Sequence, residues 1–132
     1  MSNLQLSLKT KWFEMTKARI KKEDYRQMTP YWCNRFLLVD GVVKNKEWWV
    51  KFFRWYKEKY LIEFIGALDS EPLFSFKKFD YNIMTLGYPK SGDSERILKL
   101  EHKGIEIRKG NPDWGAEPDK LYFVILHGSV VE

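Results

Sequence analysis

Six consecutive residues, Lys21, Lys22, Glu23, Asp24, Tyr25 and Arg26, place donors and acceptors side by side in one short run. Lys and Arg supply N–H donors and Asp accepts from an amino group, so such a set can hold a planar polar ligand such as a nucleobase. On a strand, Lys22, Asp24 and Arg26 fall on one face and Lys21, Glu23 and Tyr25 on the other, which leaves neither face apolar. Two readings are open. The run is a solvated edge strand with cross-strand ion pairs, or it lines a cleft.

Other chemistries are poorly supplied. His102 and His127 are the only histidines, and neither lies in a metal-binding spacing such as H-E-x-x-H, so they read as structural or solvent-exposed. Cys33 is the only cysteine, which excludes an intrachain disulfide and a cysteine-based zinc site. Its bulky neighbours predict a buried, inert thiol. A G-x-S-x-G nucleophile turn and a G-x-x-x-x-G-K phosphate loop are both missing from the sequence. We expect no metal and no cofactor.

The elements that must position the charged run are legible in outline. Leu4, Leu6 and Leu8 alternate with Gln5, Ser7 and Lys9, the pattern of a half-buried strand. Thr10 is placed to cap a helix with Trp12, Phe13, Met15, Ile20 and the Lys17 stem on its apolar side. Residues 21–27 read as a second strand, and Thr29 and Pro30 as a turn into a short helix carrying Tyr31, Trp32, Phe36 and Leu37. The strongest helix is NKEWWVKFFRWYKEKYLIEF, where Trp48, Phe52 and Trp55, and Trp49, Phe53, Tyr56 and Tyr60, form two adjacent rows. Lys51, Arg54, Lys57 and Lys59 fill much of its remaining surface. It is either a core helix with snorkelling lysines or an exposed aromatic and basic face suited to stacking on bases.

From FSFKKFDYNIMTLGYP onward the texture is β-rich, with strands at RILKLEHKGIEIRK and KLYFVILHG and turn-rich connectors GYPKSGDSE and GNPDWGAEPD. Helices early and strands late, with the opening strand free to pair with the closing ones, predict an α+β domain whose sheet curls into a small barrel.

A chain of 132 residues is the size of one domain with one core. Its 44% hydrophobic content predicts that it folds. The net charge of +5 favours an anionic partner, of which nucleic acid is the commonest. The N-terminus lacks a signal pattern and no apolar run approaches a membrane span, so we expect a soluble, cytoplasmic protein that makes no membrane contact.

LSLKTKWFEMTKARIKKEDYR resembles the N-terminal signature of the ASCH family, the activating-signal-cointegrator homology domains. A leading strand, a short helix, a Lys, and an acid two residues before an Arg recur there; here these are Lys21, Asp24 and Arg26. PYWCNRF, FDYNIMTLGYP and GNPDWGAEPDKLYFVILHG look like segments of small phage and bacterial members. The resemblance covers the chain outside roughly Val39 to Pro72, and the aromatic stretch at about 39–72 reads as a helical insertion into a single domain.

That resemblance implies a small PUA-like mixed β-barrel flanked by helices, α+β in class, with a basic cleft beside the charged strand for RNA, single-stranded nucleic acid or a modified nucleobase. Tyr25, Trp32 and Tyr88 are then the stacking residues, while Lys9, Lys21 and Arg35 meet phosphate or base acceptors and Asp24 and Arg26 complete the set. Some members are amidohydrolases on acetylated cytidine that use a Lys, a Thr and a Glu. Lys21 matches the Lys; Asp24 stands at the Thr position, and Arg19 stands where the family carries a Gly. The enzymatic alternative is a hydrolase of an acylated nucleoside with Lys21 as base and Asp24 or Glu101 assisting. A third reading is a protein-interaction module docking through Trp48, Trp49 and Trp55, for example a phage-encoded inhibitor.

Overall fold

The computed structural model describes residues 2–56, 73–90 and 92–131. The fold class is α+β, and the chain divides into two compact units: residues 1–25 with 78–132, and residues 26–77.

The first unit is built on a five-stranded mixed sheet. Strand β1 (Leu4–Leu8) follows the expected alternation, with Leu4, Leu6 and Leu8 buried and Gln5 exposed. Helix α1 (Thr10–Lys17) begins one residue earlier than expected. Lys9, not Thr10, is its N-cap, and no side chain caps it. Only Phe13 and Thr16 of this helix are buried; Ile20, expected on its apolar side, is 57% exposed. The helix has already ended at that point, because the N–H groups of Ile20 and Lys21 both donate to the Met15 carbonyl and the chain turns through Arg19 at a φ of 65°.

Strand β2 (Glu23–Arg26) therefore starts two residues later than expected. Lys21 belongs to the helix-ending turn and not to the strand, so the simple division of faces fails at that residue. The long strands β6 (Ile97–Lys109) and β7 (Leu121–Val130) run antiparallel, and β5 (Tyr81–Leu86) pairs antiparallel with β6 on its other side. The opening strand pairs not with these closing strands but parallel with β5, Leu4 opposite Asn82 through Leu8 opposite Leu86. The order is β1-β5-β6-β7-β2. Register shifts interrupt the β6–β7 ladder around His102, where Gly104 adopts a φ of 116° that suits glycine alone. Such irregularities bend and twist a strand, and the sheet curls as a half-barrel. Its apolar interior includes Phe13, Met84, Leu100, Ile105, Phe123 and Ile125, while Val124 packs with Ala116 and Tyr122 in a cluster of its own.

Among its described residues the second unit holds two packed helices and a two-stranded sheet. Helix α2 (Pro30–Phe36) starts as the sequence implies: the Trp32 N–H donates to Thr29 Oγ1, and Pro30 fills the first turn, where no N–H is needed. It stops at Phe36. Leu37, expected in the helix, opens β3 (Leu37–Val39), which pairs antiparallel with β4 (Phe74–Phe76). Helix α3 (Lys46–Trp55) is capped by Asn45, whose side chain accepts from the Trp48 N–H. The further helix expected over residues 57–64 lies outside the described residues. In α3 only Trp49 and Phe52 are buried, one from each of the two expected aromatic rows. They meet Phe74 at ring-centroid distances of 5.3 Å. Cys33 is fully buried.

Candidate functional site

A hollow of about 310 Å³ opens in the first unit. Three stretches distant in sequence make its polar wall. The connection from α1 to β2 contributes Arg19, Lys21 and Lys22; β6 contributes Glu101 and Lys103; β7 contributes His127. Gly128 keeps this wall thin, since a Cβ there would sit 2.6 Å from Lys103 Cε and 2.9 Å from Glu101 Cβ.

Lys21 and Asp24, the centre of the charged run, form a buried ion pair. Lys21 Nζ donates to Asp24 Oδ1 at 3.1 Å and to the Glu23 carbonyl at 2.8 Å. The ammonium also lies 5.5 Å from the centre of the Tyr25 ring and 5.9 Å from that of Trp12. Tyr25 is tied down in turn. Its hydroxyl donates to Glu23 Oε2 at 2.6 Å and accepts from the Asn111 N–H at 2.8 Å, and its ring packs against Tyr122. Burial works against the charge on Glu23, but hydrogen bonds from both guanidinium Nη atoms of Arg108 and from Tyr25 outweigh it and hold its carboxyl below the ordinary 4.5. Burial and the Glu23 hydrogen bond push the Tyr25 hydroxyl well above its usual range.

The cations able to meet a ligand are therefore Arg19, Lys22 and Lys103, all exposed. Lys103 leans toward Glu101 at 3.5 Å, and the Ser129 N–H donates to Glu101 Oε1 at 3.0 Å. These contacts, the Ser129 bond foremost, hold the Glu101 carboxyl below its ordinary value.

His127 enters the wall through a relay the sequence did not reveal. Asn82, fully buried on β5, donates from Nδ2 to the Leu126 carbonyl (3.2 Å) and to His127 Nδ1 (2.8 Å), while its Oδ1 accepts from His102 Nδ1 (2.6 Å). The Leu126 bond fixes the orientation of the amide, so His127 must accept at Nδ1 and carry its proton on Nε2. That Nε2–H is buried and finds no acceptor among the described residues. Burial pushes the imidazole down to about 4, Lys21 and His102 adding to the effect and Asp24 and Glu23 opposing it. His127 is neutral at physiological pH.

Of the residues expected to bind ligand, Lys21, Asp24 and Tyr25 are together in the first unit, with only Lys21 in the hollow's wall. Glu101, named for the enzymatic alternative, shares that wall. Lys9 and Tyr88 leave the neighbouring ends of the parallel strands β1 and β5, and Tyr88 is 96% exposed. Arg26, Trp32 and Arg35 gather in the second unit, where the guanidinium carbons of Arg26 and Arg35 lie 4.9 and 5.5 Å from the Trp32 ring. Of the tryptophans named for protein docking, Trp49 is fully buried, Trp48 partly so, and Trp55 is 80% exposed. No helix among the described residues is long and apolar enough to cross a membrane. Comparison with known protein families, characterised proteins and solved structures finds no match.

Proposed function

We propose that the chain is a binding module of ASCH type and PUA-like fold that holds RNA or single-stranded nucleic acid in a basic hollow. One observation carries the reading: Arg19, Lys22 and Lys103, with the head of Lys21 held by Asp24 behind them, line a single concavity whose one carboxylate among the described lining residues is Glu101. Its volume sits at the lower end of ligand sites, suited to one nucleotide unit rather than a large cofactor. The exposed ring of Tyr88, in the same unit, is a surface on which a further base stacks.

A hydrolase working through Lys21, Asp24 and Glu101 gains support from Lys21 and Glu101 sharing a wall, but it needs a Lys21 amine that is deprotonated and reachable. The Lys21 side chain is 2% exposed and its head is held by Asp24, which favours the non-enzymatic reading.

Filter-binding titrations of short single-stranded RNA at several salt concentrations test the proposal. Affinity is expected to fall steeply with salt, and the double variant Arg19→Ala/Lys22→Ala to flatten that slope by about one unit per lost phosphate contact. An unchanged slope and affinity would remove the hollow from the interface. Turnover of an acylated nucleoside panel by the wild-type protein would move the reading to the enzyme.

A further inference from the structure

The hollow's wall is rich in donors and poor in flat surface. Arg19, Lys22 and Lys103 bring cations to it beside the Glu101 carboxylate, and His127, which also lines it, carries a neutral Nε2–H that is buried in the wall and that no acceptor meets among the described residues. Among its described lining residues there is no Trp, Tyr or Phe, so the imidazole is the one ring there for a nucleobase to lie against. Sequence-tolerant base binding depends on such rings.

Two features show that this donor set is held at a cost. Arg19 occupies left-handed backbone at a φ of 65°, a conformation that is easy for glycine and strained for a residue with a Cβ. Strain of this kind persists where the surroundings over-determine it, and it concentrates at ligand sites. The Asn82 relay, in turn, fixes which nitrogen of His127 carries the proton and leaves a buried donor unpaired, a situation that native interiors rarely tolerate.

We propose that the hollow is a phosphate monoester site, in which Arg19, Lys22 and Lys103 neutralise the phosphate and His127 Nε2–H donates to one of its oxygens. A monoester suits this set better than a strand-internal diester. It carries a charge of roughly −1.5 to −2 and three acceptor oxygens, matching several cations and one neutral donor. The hollow exceeds the volume of a phosphate alone and so admits the attached sugar as well. Two sources share this chemistry: the 5′-terminal phosphate of a nucleic-acid strand and a free mononucleotide. For its macromolecular partner the proposal rests on the nucleic-acid reading above, whereas the phosphate chemistry does not.

The test is a titration of the full chain, followed by imidazole 15N resonances and by binding affinity. The probes are inorganic phosphate, a mononucleotide and its nucleoside, and a short oligoribonucleotide with and without a 5′-phosphate. In the free protein the spectrum is expected to show His127 in the Nε2–H form. Added phosphate is expected to move that resonance, and each 5′-phosphate to tighten binding on the order of tenfold over its phosphate-free counterpart.

His127→Gln places an amide N–H near the Nε2 position and is expected to keep most of this advantage, whereas His127→Asn reaches only the Nδ1 position and is expected to lose it. Should His127→Asn fail to fold, Lys103→Met is the second variant, expected to lose part of the advantage with the fold intact. Equal affinity with and without the 5′-phosphate, with His127 unmoved, overturns the phosphate site and leaves the nucleic-acid reading standing. Binding of phosphate and mononucleotide at His127 without binding of any oligoribonucleotide upholds the site and overturns that reading. Binding of none of the probes overturns both.

Discussion

Lys21 Nζ lies 3.1 Å from Asp24 Oδ1, with the two side chains only 2% and 5% exposed, so the chain buries a complete ion pair beside its candidate site. Removing one partner strands the other charge away from water. Asp24→Ala is expected to destabilise the protein by roughly 3–5 kcal/mol, while the apolar double variant Lys21→Met/Asp24→Leu recovers most of that loss. Urea unfolding of the three proteins decides it: a double variant no better than Asp24→Ala would show that the pair's geometry, and not charge compensation, holds this region.

Stability should fall on mild acidification because of His127. Its folded-state pKa of about 4 lies below the ordinary 6.5, so the unfolded chain takes up the proton first. The contribution is fully present above pH 6.5 and is lost as pH drops toward 4. His102, also pushed down by burial, acts in the same direction. The slope approaches about 1.4 kcal/mol per pH unit for one proton. His127→Gln is expected to flatten this limb in unfolding experiments run across the window, and an unaltered limb would assign the proton elsewhere.

Glu23 governs a lower window. Its folded-state pKa is held below 4.5 by Arg108 and Tyr25 against the pull of burial, so its contribution is present above 4.5 and disappears as pH falls below that value. Arg108→Met removes the two guanidinium hydrogen bonds to Glu23. Acid titration of the variant, followed by circular dichroism, should show unfolding at a higher pH than wild type while the His127 limb stays in place.

Arg19→Gly separates stability from binding. Relieving the left-handed backbone at a φ of 65° is expected to raise stability by roughly 0.5–1 kcal/mol, and the lost guanidinium to weaken RNA affinity several-fold. Thermal melts and salt-dependent titrations read the two effects independently. A variant that is both less stable and equally tight-binding contradicts the role given to Arg19.

Gly110→Ala is expected to destabilise the first unit without touching the hollow. The added Cβ would sit 2.6 Å from Ala116 Cβ and 2.8 Å from the Tyr25 ring, and overpacking of this kind costs roughly 1–3 kcal/mol. A melting temperature equal to wild type would mean that the 110–116 loop yields freely.

Short-range signals were readable in the sequence, because they depend on neighbours in the chain. The alternation of Leu4, Leu6 and Leu8, the turn at Thr29 and Pro30 into a short helix, the aromatic helix and the two long closing strands all follow from side-chain periodicity and local signals, whereas the cap read at Thr10 does not form. The surplus of cations is likewise a property of the sequence alone. What escaped was every relationship set by strand pairing. Asn82 sits in an ordinary alternating strand, and nothing local marks it as the amide that orients His127 and His102. Alternation alone puts Lys21 on a strand face, but the tight turn through Arg19 takes it out of the strand and swings it onto Asp24. The hollow itself exists because residues near 20, near 102 and at 127 meet through the β6–β7 register and its irregularities. A one-residue slip of β7 in that register would turn its side chains, His127 among them, to the opposite face of the sheet. The sequence thus settled which local elements form and the sign of the charge they carry; only the tertiary structure decided which charges are sealed in pairs and which line a cavity, since burial is a property of the packed sheet and not of any segment alone.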